Sequence, residues 1–382
     1  MRWTGSLTGI FEYPLWELNR ASNWEEFRKA LARYPGPGGN FLYADIDGNI
    51  GHQVAGKLPV RQGWAGDVPA PAGAEWVGLI PFAELPSTYN PESGVLISSN
   101  QNPFPADFRY PVNGNFAAHY RNAQIARRLA TKPKWSVLDT LALQYDTYSP
   151  PAHFMAQQLA AAVKSRKAPG LEEPAAMLSA WQGTMDANRP EPLLVTLALA
   201  QFRKEILERA APGKGGSYDS QMGAAVMERL LRERPKGWFA DWDELLVKVL
   251  RAAIDEGAKT HGRSISSWQW GRANYLFLEH PVVSKIPWAG NWFRLGPTGL
   301  SGGVNTVATT TLRLGPSMRF IVDLSSWDQS LMNIVLGQSG QPFSPHYNDQ
   351  FKRWGEGGSF PMQFGKIEAS GTLEITVPPA AR

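Results

Sequence analysis

Not one cysteine occurs in the 382 residues. Disulfides, thiolate metal centres and a cysteine nucleophile are therefore excluded, while the cellular compartment is left open. Charge is sparse as well: Asp, Glu, Lys and Arg make up 19% of the chain, and the formal net charge is only +4. Basic stretches such as RKALAR (28–33) are short and read as the solvated face of a helix, so no nucleic-acid partner is expected. No window approaches the ~20 consecutive apolar residues of a membrane-spanning helix, and no membrane partner is expected either. The opening MRWTGSLTGIFEYPLWELNRA does not read as a signal peptide, because no apolar core follows Arg2 and Pro14 and charges interrupt it. Several chemical signatures are missing too: GxGxxG after a strand, GxxxxGK[ST], HExxH and GxSxG. The histidines, at 52, 119, 153, 261, 280 and 346, show no metal-ligand spacing.

What is present is length, aromatic side chains and a change of pattern along the chain. A single hydrophobic core normally stops growing below this length, so two regions or one large discontinuous domain are expected. Aromatic residues at 11%, with 15 Trp, suggest a large core and apolar clefts. Residues 21–34 (ASNWEEFRKALARY) predict a helix, with Ser22 or Asn23 as cap, Glu25 and Glu26 in the first turn, and Trp24, Phe27 and Leu31 at helical spacing. Residues 40–56 predict a β-hairpin turning at Asp47-Gly48-Asn49. Residues 57–94, rich in Pro, Gly and Trp, predict loops with short strands of the kind that wall a cleft. GVLISS (94–99) predicts a short buried strand.

From about Phe116 the apolar residues recur at i, i+3, i+4 and i+7, which predicts a mostly helical region up to about residue 260. After SSWQWGRANYLFLEHP (266–281) strand patterns return in NTVATTTLRLG, SMRFIVDLS, SLMNIVLGQ and GTLEITVP. Strands, then helices, then strands predict an α+β protein with a helical excursion from one sheet core.

Three clusters bear on chemistry. Asp45 and Asp47 flank the hairpin turn and are better read as turn residues than as an acid–base pair. GQSGQPFSPHYNDQF (337–351) offers Ser339, Ser344, His346 and Asp349, but three triad members within one short loop rarely converge. Its expected role is structural, with Tyr347 and Phe351 packed inward. SSNQNPFPADF (98–108) places Asn100 and Asn102 before a pair of prolines. Asparagine is a common turn former; its amide N–H, held rigidly, is also a donor that can stabilise an oxyanion.

NFLYADIDGNIGHQVAGKLPVR, SSNQNPFP, YRNAQIARRL, SWQWGRANYLFLEHP, GPSMRFIVDL and GQSGQPFSPHYNDQF together resemble the penicillin amidase family of N-terminal-nucleophile (Ntn) hydrolases. Their order and spacing match its large β chain over nearly the whole sequence. The resemblance implies an Ntn-type αββα sandwich, incomplete here, with residues 1–115 and 266–382 as parts of one discontinuous sheet core and 116–265 as the helical excursion. It also implies amide hydrolysis by an N-terminal serine whose own α-amino group acts as base; such an amine titrates near ~7.7–8.0 and is poised near neutrality. Asn102 is then the oxyanion donor, Asn100 its supporting neighbour, and Arg121 the arginine that orients nucleophile and substrate.

One departure matters. Met1-Arg2-Trp3-Thr4-Gly5-Ser6 resembles an internal stretch of the family's β chain, and neither Thr4 nor Ser6 aligns with the nucleophile. The expectation is a C-terminal portion of a penicillin amidase-type enzyme, with no nucleophile of its own. It would need the N-terminal part, α chain and nucleophile segment, as partner, and would be inactive alone. The expected substrate is a small-molecule amide, the acyl side chain of a β-lactam or related amine, with an N-acyl homoserine lactone as the alternative. A third reading is a non-catalytic module using the Trp-rich cleft of residues 64–85. No cofactor is expected for the chemistry. Calcium, which some family members bind, would be held mostly by residues outside this chain. A full family precursor would be periplasmic or secreted.

Overall fold

The computed structural model describes residues 3–7, 12–66, 68–221, 223–311, 314–365, 367–368 and 374. The chain falls into two compact units, residues 1–126 and 127–382. In the first, helices α1 (Leu15–Arg20) and α2 (Trp24–Leu31) precede the hairpin of β1 (Gly39–Ala44) and β2 (Ile50–Ala55). The start of α2 follows from its cap: Asn23 accepts a hydrogen bond from the Glu26 N–H at 2.9 Å, and the Glu26 carboxylate accepts in return from the Ser22 N–H and hydroxyl. The hairpin turns because Asp45 Oδ1 accepts from the N–H groups of Asp47 and Asn49, at 3.0 and 2.9 Å, with Gly48 at φ 88°. Asp45 and Asp47 are thus turn residues, as expected.

Strands β3 (Pro59–Arg61) and β4 (Trp76–Leu79) form a two-stranded ribbon, and β5 (Ser87–Tyr89) joins the free side of β2. Tyr43, Gly51 and Tyr89 stand side by side across β1, β2 and β5. Trp24 lies on that row: its ring centroid is 5.6 Å from that of Tyr43 and 5.3 Å from that of Tyr89. A Cβ on Gly51 would come within 2.4 Å of the indole, so glycine is what lets helix α2 settle on the sheet.

Helix α3 (Tyr120–Leu129) runs through the boundary between the units. The second unit then contains α4 (Val137–Gln144), α5 (Pro150–Arg166), α6 (Glu172–Ala180), α7 (Glu191–Ala210), α8 (Ala224–Glu233) and α9 (Trp242–His261). Helices α5, α7 and α9 share one core that includes Met155, Leu159, Leu194, Phe202, Ile206, Leu246 and Leu250, all inaccessible to solvent. Trp268 closes it by packing where Gly257 has no side chain. Strands β6 (Tyr275–Glu279) and β7 (Arg294–Gly299) pair, and β8 (Met318–Ile321), β9 (Leu331–Ile334) and β10 (Phe360–Pro361) form a second small sheet, with α10 (Phe351–Gly355) between β9 and β10 in sequence. The mixed α+β class is as expected. The sheets are small and unclosed, and among the described residues none joins a strand of 39–89 to one of 275–361.

Two expected strands are absent. Residues 95–98 carry no ladder, because side chains occupy the backbone groups a neighbouring strand would use. Ile97 O accepts from Gln101 Nε2 at 3.1 Å, the Ser99 N–H donates to Gln101 Oε1 at 2.7 Å, and Ser99 O accepts from Arg121 at 2.7 Å. The threonine-rich run at 305–311 forms turns and isolated bridges instead of a strand. There the Thr306 hydroxyl accepts from Gly303 N–H at 2.9 Å and bonds Ala308 O at 2.8 Å, while Thr309 bonds Thr306 O at 2.8 Å. The strand expected at GTLEITVP lies, but for Glu374, outside the described residues.

Candidate active site

Asn100, Asn102 and Arg121, singled out from the sequence, belong to one local cluster at the end of the 95–99 segment and the start of α3. Asn100 sits in the left-handed region, φ 65°, a conformation asparagine tolerates better than most side chains. Its carbonyl accepts from the Ala117 N–H at 2.8 Å, which ties the turn to the approach of α3. Its side-chain oxygen accepts from Arg121 Nη2 at 3.0 Å, and the same nitrogen donates to Ser99 O at 2.7 Å. Burial pulls the Arg121 guanidinium down from its ordinary value, but an arginine stays charged at any working pH. The cluster therefore places a fixed positive charge beside the Asn-x-Asn turn.

Asn102 does two different things with its two ends. Oδ1 accepts from the Phe104 N–H at 3.0 Å, an Asx-type turn bond across Pro103. Nδ2 makes no hydrogen bond among the described residues, and the side chain is exposed. Turn former and oxyanion donor are thus compatible roles: the turn bond uses the acceptor and fixes the amide plane, and the donor is left free. Gln101 was not singled out from the sequence. Wedged between the asparagines, it braces the backbone from Ile97 to Ser99 through three hydrogen bonds. Its place at the middle of the Asn-x-Asn element was the available signal.

The Ser99 hydroxyl of this cluster donates to Gln101 Oε1 at 3.2 Å. The Ser6 hydroxyl donates to Trp3 O at 2.7 Å, within its own short turn. In the 337–351 loop, His346 Nδ1 and Asp349 are 2.9 Å apart, but the Ser339 hydroxyl accepts from the Gln341 N–H and the Ser344 hydroxyl from the His346 N–H. That loop holds a His–Asp pair without a serine bonded to the imidazole. Phe351 packs as expected, stacked on the buried Trp354 at 6.1 Å. In the Trp-rich stretch, Trp76 joins Trp3, Tyr13, Leu58 and Arg61 in lining a cavity of about 390 Å³, while Arg61 lies over the Trp64 ring at 5.2 Å. Among the described residues no group of three or more His, Asp or Glu side chains could hold a metal ion, and no helix is long and apolar enough to cross a membrane.

Comparison with known proteins gives the cluster a context. Penicillin acylase 2 proenzyme of Pseudomonas sp. (strain SE83) is 28% identical over 372 residues, covering 89% of this chain and 46% of that protein. Acyl-homoserine lactone acylase QuiP of Pseudomonas syringae pv. syringae (strain B728a) is 26% identical over 415 residues, covering 95% of this chain and 49% of that one. The chain spans about half the length of the curated relatives it matches. A crystal structure of thermostable penicillin G acylase from Alcaligenes faecalis superposes with a TM-score of 0.67 at 19% identity, over 97% of this chain and 74% of that one, so the fold is shared. Because the sequence model of the family described as penicillin amidase matches residues 1–370, the chain belongs to the penicillin amidase family.

Proposed function

We propose that these 382 residues supply the oxyanion side of an amide-hydrolase site, with Asn102 as donor and Arg121 and Asn100 as the groups that hold its turn. The nucleophilic serine comes from sequence outside this chain. The observation that carries the reading is the division of labour in Asn102: its oxygen is spent on the turn, and its N–H₂ is exposed and makes no hydrogen bond among the described residues. A donor fixed before reaction costs no reorganisation when a tetrahedral intermediate forms, which is why such groups act mainly in the transition state. The reading of an external nucleophile is supported by the half-length match to the relatives and by the local bonding of the Ser6 hydroxyl. The substrate is a linear amide whose acyl group is released from a β-lactam or related amine. N-acyl homoserine lactones are the second reading, favoured by the match to the QuiP acylase over 95% of this chain.

The test is a chimera in which this chain replaces the matching part of the Pseudomonas sp. SE83 proenzyme. Hydrolysis of a phenylacetyl, phenoxyacetyl or acyl-homoserine-lactone amide that is lost in Asn102→Ala supports the assignment. A folded, processed chimera that hydrolyses none of them, or whose turnover is indifferent to Asn102, overturns it.

A further inference from the structure

The second unit contains a buried cation that no carboxylate of the described residues neutralises. Arg319, on β8, is 7% exposed and makes no ion pair among the described residues. Its guanidinium is clamped between two rings, 3.9 Å from the centroid of Tyr145 and 4.9 Å from that of Trp354. Among the described residues only one of its nitrogens is hydrogen-bonded: Nη1 donates to the Tyr145 hydroxyl at 2.8 Å and to Trp354 O at 3.0 Å. Nε is sealed from solvent without a partner, and Nη2 makes no hydrogen bond among the described residues either. Across the β8–β9 ladder its registered neighbour Asn333, 1% exposed, likewise holds an unbonded side-chain oxygen. Stacking and the bond to the end of α10 account for where the guanidinium lies. They leave its remaining donors unspent, where a buried arginine normally engages a carboxylate or a run of carbonyls.

Arg319 stands in the wall of a cavity of about 640 Å³, a size that suits a small organic ligand. Leu300, Ala308 and Trp354 give this wall an apolar part, and Asp186 and Glu356 line it as well. Neither acid pairs with Arg319. A simple anion would meet the cation and two repelling carboxylates, whereas a simple amine would meet the carboxylates and the repelling arginine. A ligand carrying both charges matches both parts of the wall. We propose that this cavity binds a small zwitterion of the α-amino acid type, its carboxylate on Arg319, its ammonium towards Asp186 or Glu356, and its side chain against Leu300 and Trp354. The cavity is lined by residues of the second unit alone and the proposal does not depend on the amidase reading.

Isothermal titration of the 382-residue chain tests this with L-phenylalanine as probe, beside L-phenylalaninamide, which lacks the carboxylate, and N-acetyl-L-phenylalanine, which lacks the ammonium. L-phenylalanine should bind, and each analogue should bind at least ~10-fold more weakly, the loss expected when a site's charged partner goes unpaired. Arg319→Met should weaken binding of L-phenylalanine by a similar factor. Should that variant fail to fold, Ala142→Trp keeps the test alive: Ala142 lines the cavity from an exposed position on α4, so a bulky ring there should obstruct binding with an unchanged thermal melt. Three results overturn the proposal: no heat with millimolar L-phenylalanine, equal binding to the Ala142→Trp chain, or binding of either analogue as tight as that of the free amino acid.

Discussion

Asn102→Asp and Asn102→Ala, compared in the assembled enzyme, separate the two ends of one side chain. Aspartate keeps an oxygen where Oδ1 accepts from the Phe104 N–H, so the turn survives, but it has no N–H₂ and brings a negative charge to the place where one would develop. Alanine removes both functions. Losing an oxyanion donor costs about 10²–10³ in kcat, or roughly 2.7–4 kcal/mol of transition-state stabilisation. The turn bond, exposed to water, contributes only about 0.5–1.5 kcal/mol to stability. Hence both variants should lose at least a hundredfold in kcat with little change in KM, while only the alanine chain should show a lower denaturant midpoint. The assay is turnover per active site, counted by covalent titration of the serine, next to an unfolding curve for each variant. An aspartate variant that turns over within threefold of the parent would refute the assignment, since aspartate has no side-chain N–H₂ to donate. A rate that falls only with the folded fraction would reduce Asn102 to a turn residue.

Gly51→Ala should destabilise the first unit by about 1–3 kcal/mol, because the added Cβ meets the Trp24 indole; a chemical melt of the purified chain checks it. Thr306→Val should cost about 1–3 kcal/mol by leaving the buried Gly303 N–H and Ala308 carbonyl without the hydroxyl that bonds them, read as a lowered unfolding midpoint. The carboxyl of Asp139, at the start of α4, is held down to about 2 by Lys132 and then by the Ser136 N–H and hydroxyl. Its folded value lies below its ordinary 3.8, so its contribution is present above that pH and lost as pH falls towards 2. The stability gap between the parent and Asp139→Asn should therefore be constant near neutrality and close across that window, as measured by melts at stepped pH.

Much of the architecture was readable in the sequence because the deciding forces are local. The α2 cap, the Asp45 turn and helices α5, α7 and α9 follow from residues a few positions apart. What escaped was decided by partners far along the chain or by side chains competing with the backbone. The Thr306–Thr310 run has the β-branched composition of a strand, yet its hydroxyls bond nearby backbone and curl it into turns. GVLISS has a strand's apolar pattern, but Gln101 and Arg121 occupy its carbonyls. β7 went unnoticed because Gly296 and Pro297 interrupt it; the ladder accommodates them with a register shift opposite Leu276–Leu278 and Gly296 at φ 96°. The candidate site was visible as residue types in a known order. That the Asn102 oxygen bonds the Phe104 N–H while its Nδ2 is unbonded among the described residues is visible only in the fold.

The residue that follows Asn102 also governs how long its carboxamide lasts. An exposed asparagine ages by deamidation, when the main-chain nitrogen of the next residue attacks the side-chain carbonyl and closes a succinimide. Pro103 has no N–H to lose and cannot make that attack. At Asn113–Gly114, also exposed, the next nitrogen is unhindered and the same reaction is open. Peptide mapping of chain held for weeks at mild alkaline pH should find aspartate and isoaspartate at 113 well before any at 102. Proline at 103 thus makes Asn102 chemically durable, so a carboxamide whose Nδ2 is free among the described residues keeps its identity in water throughout the life of the protein.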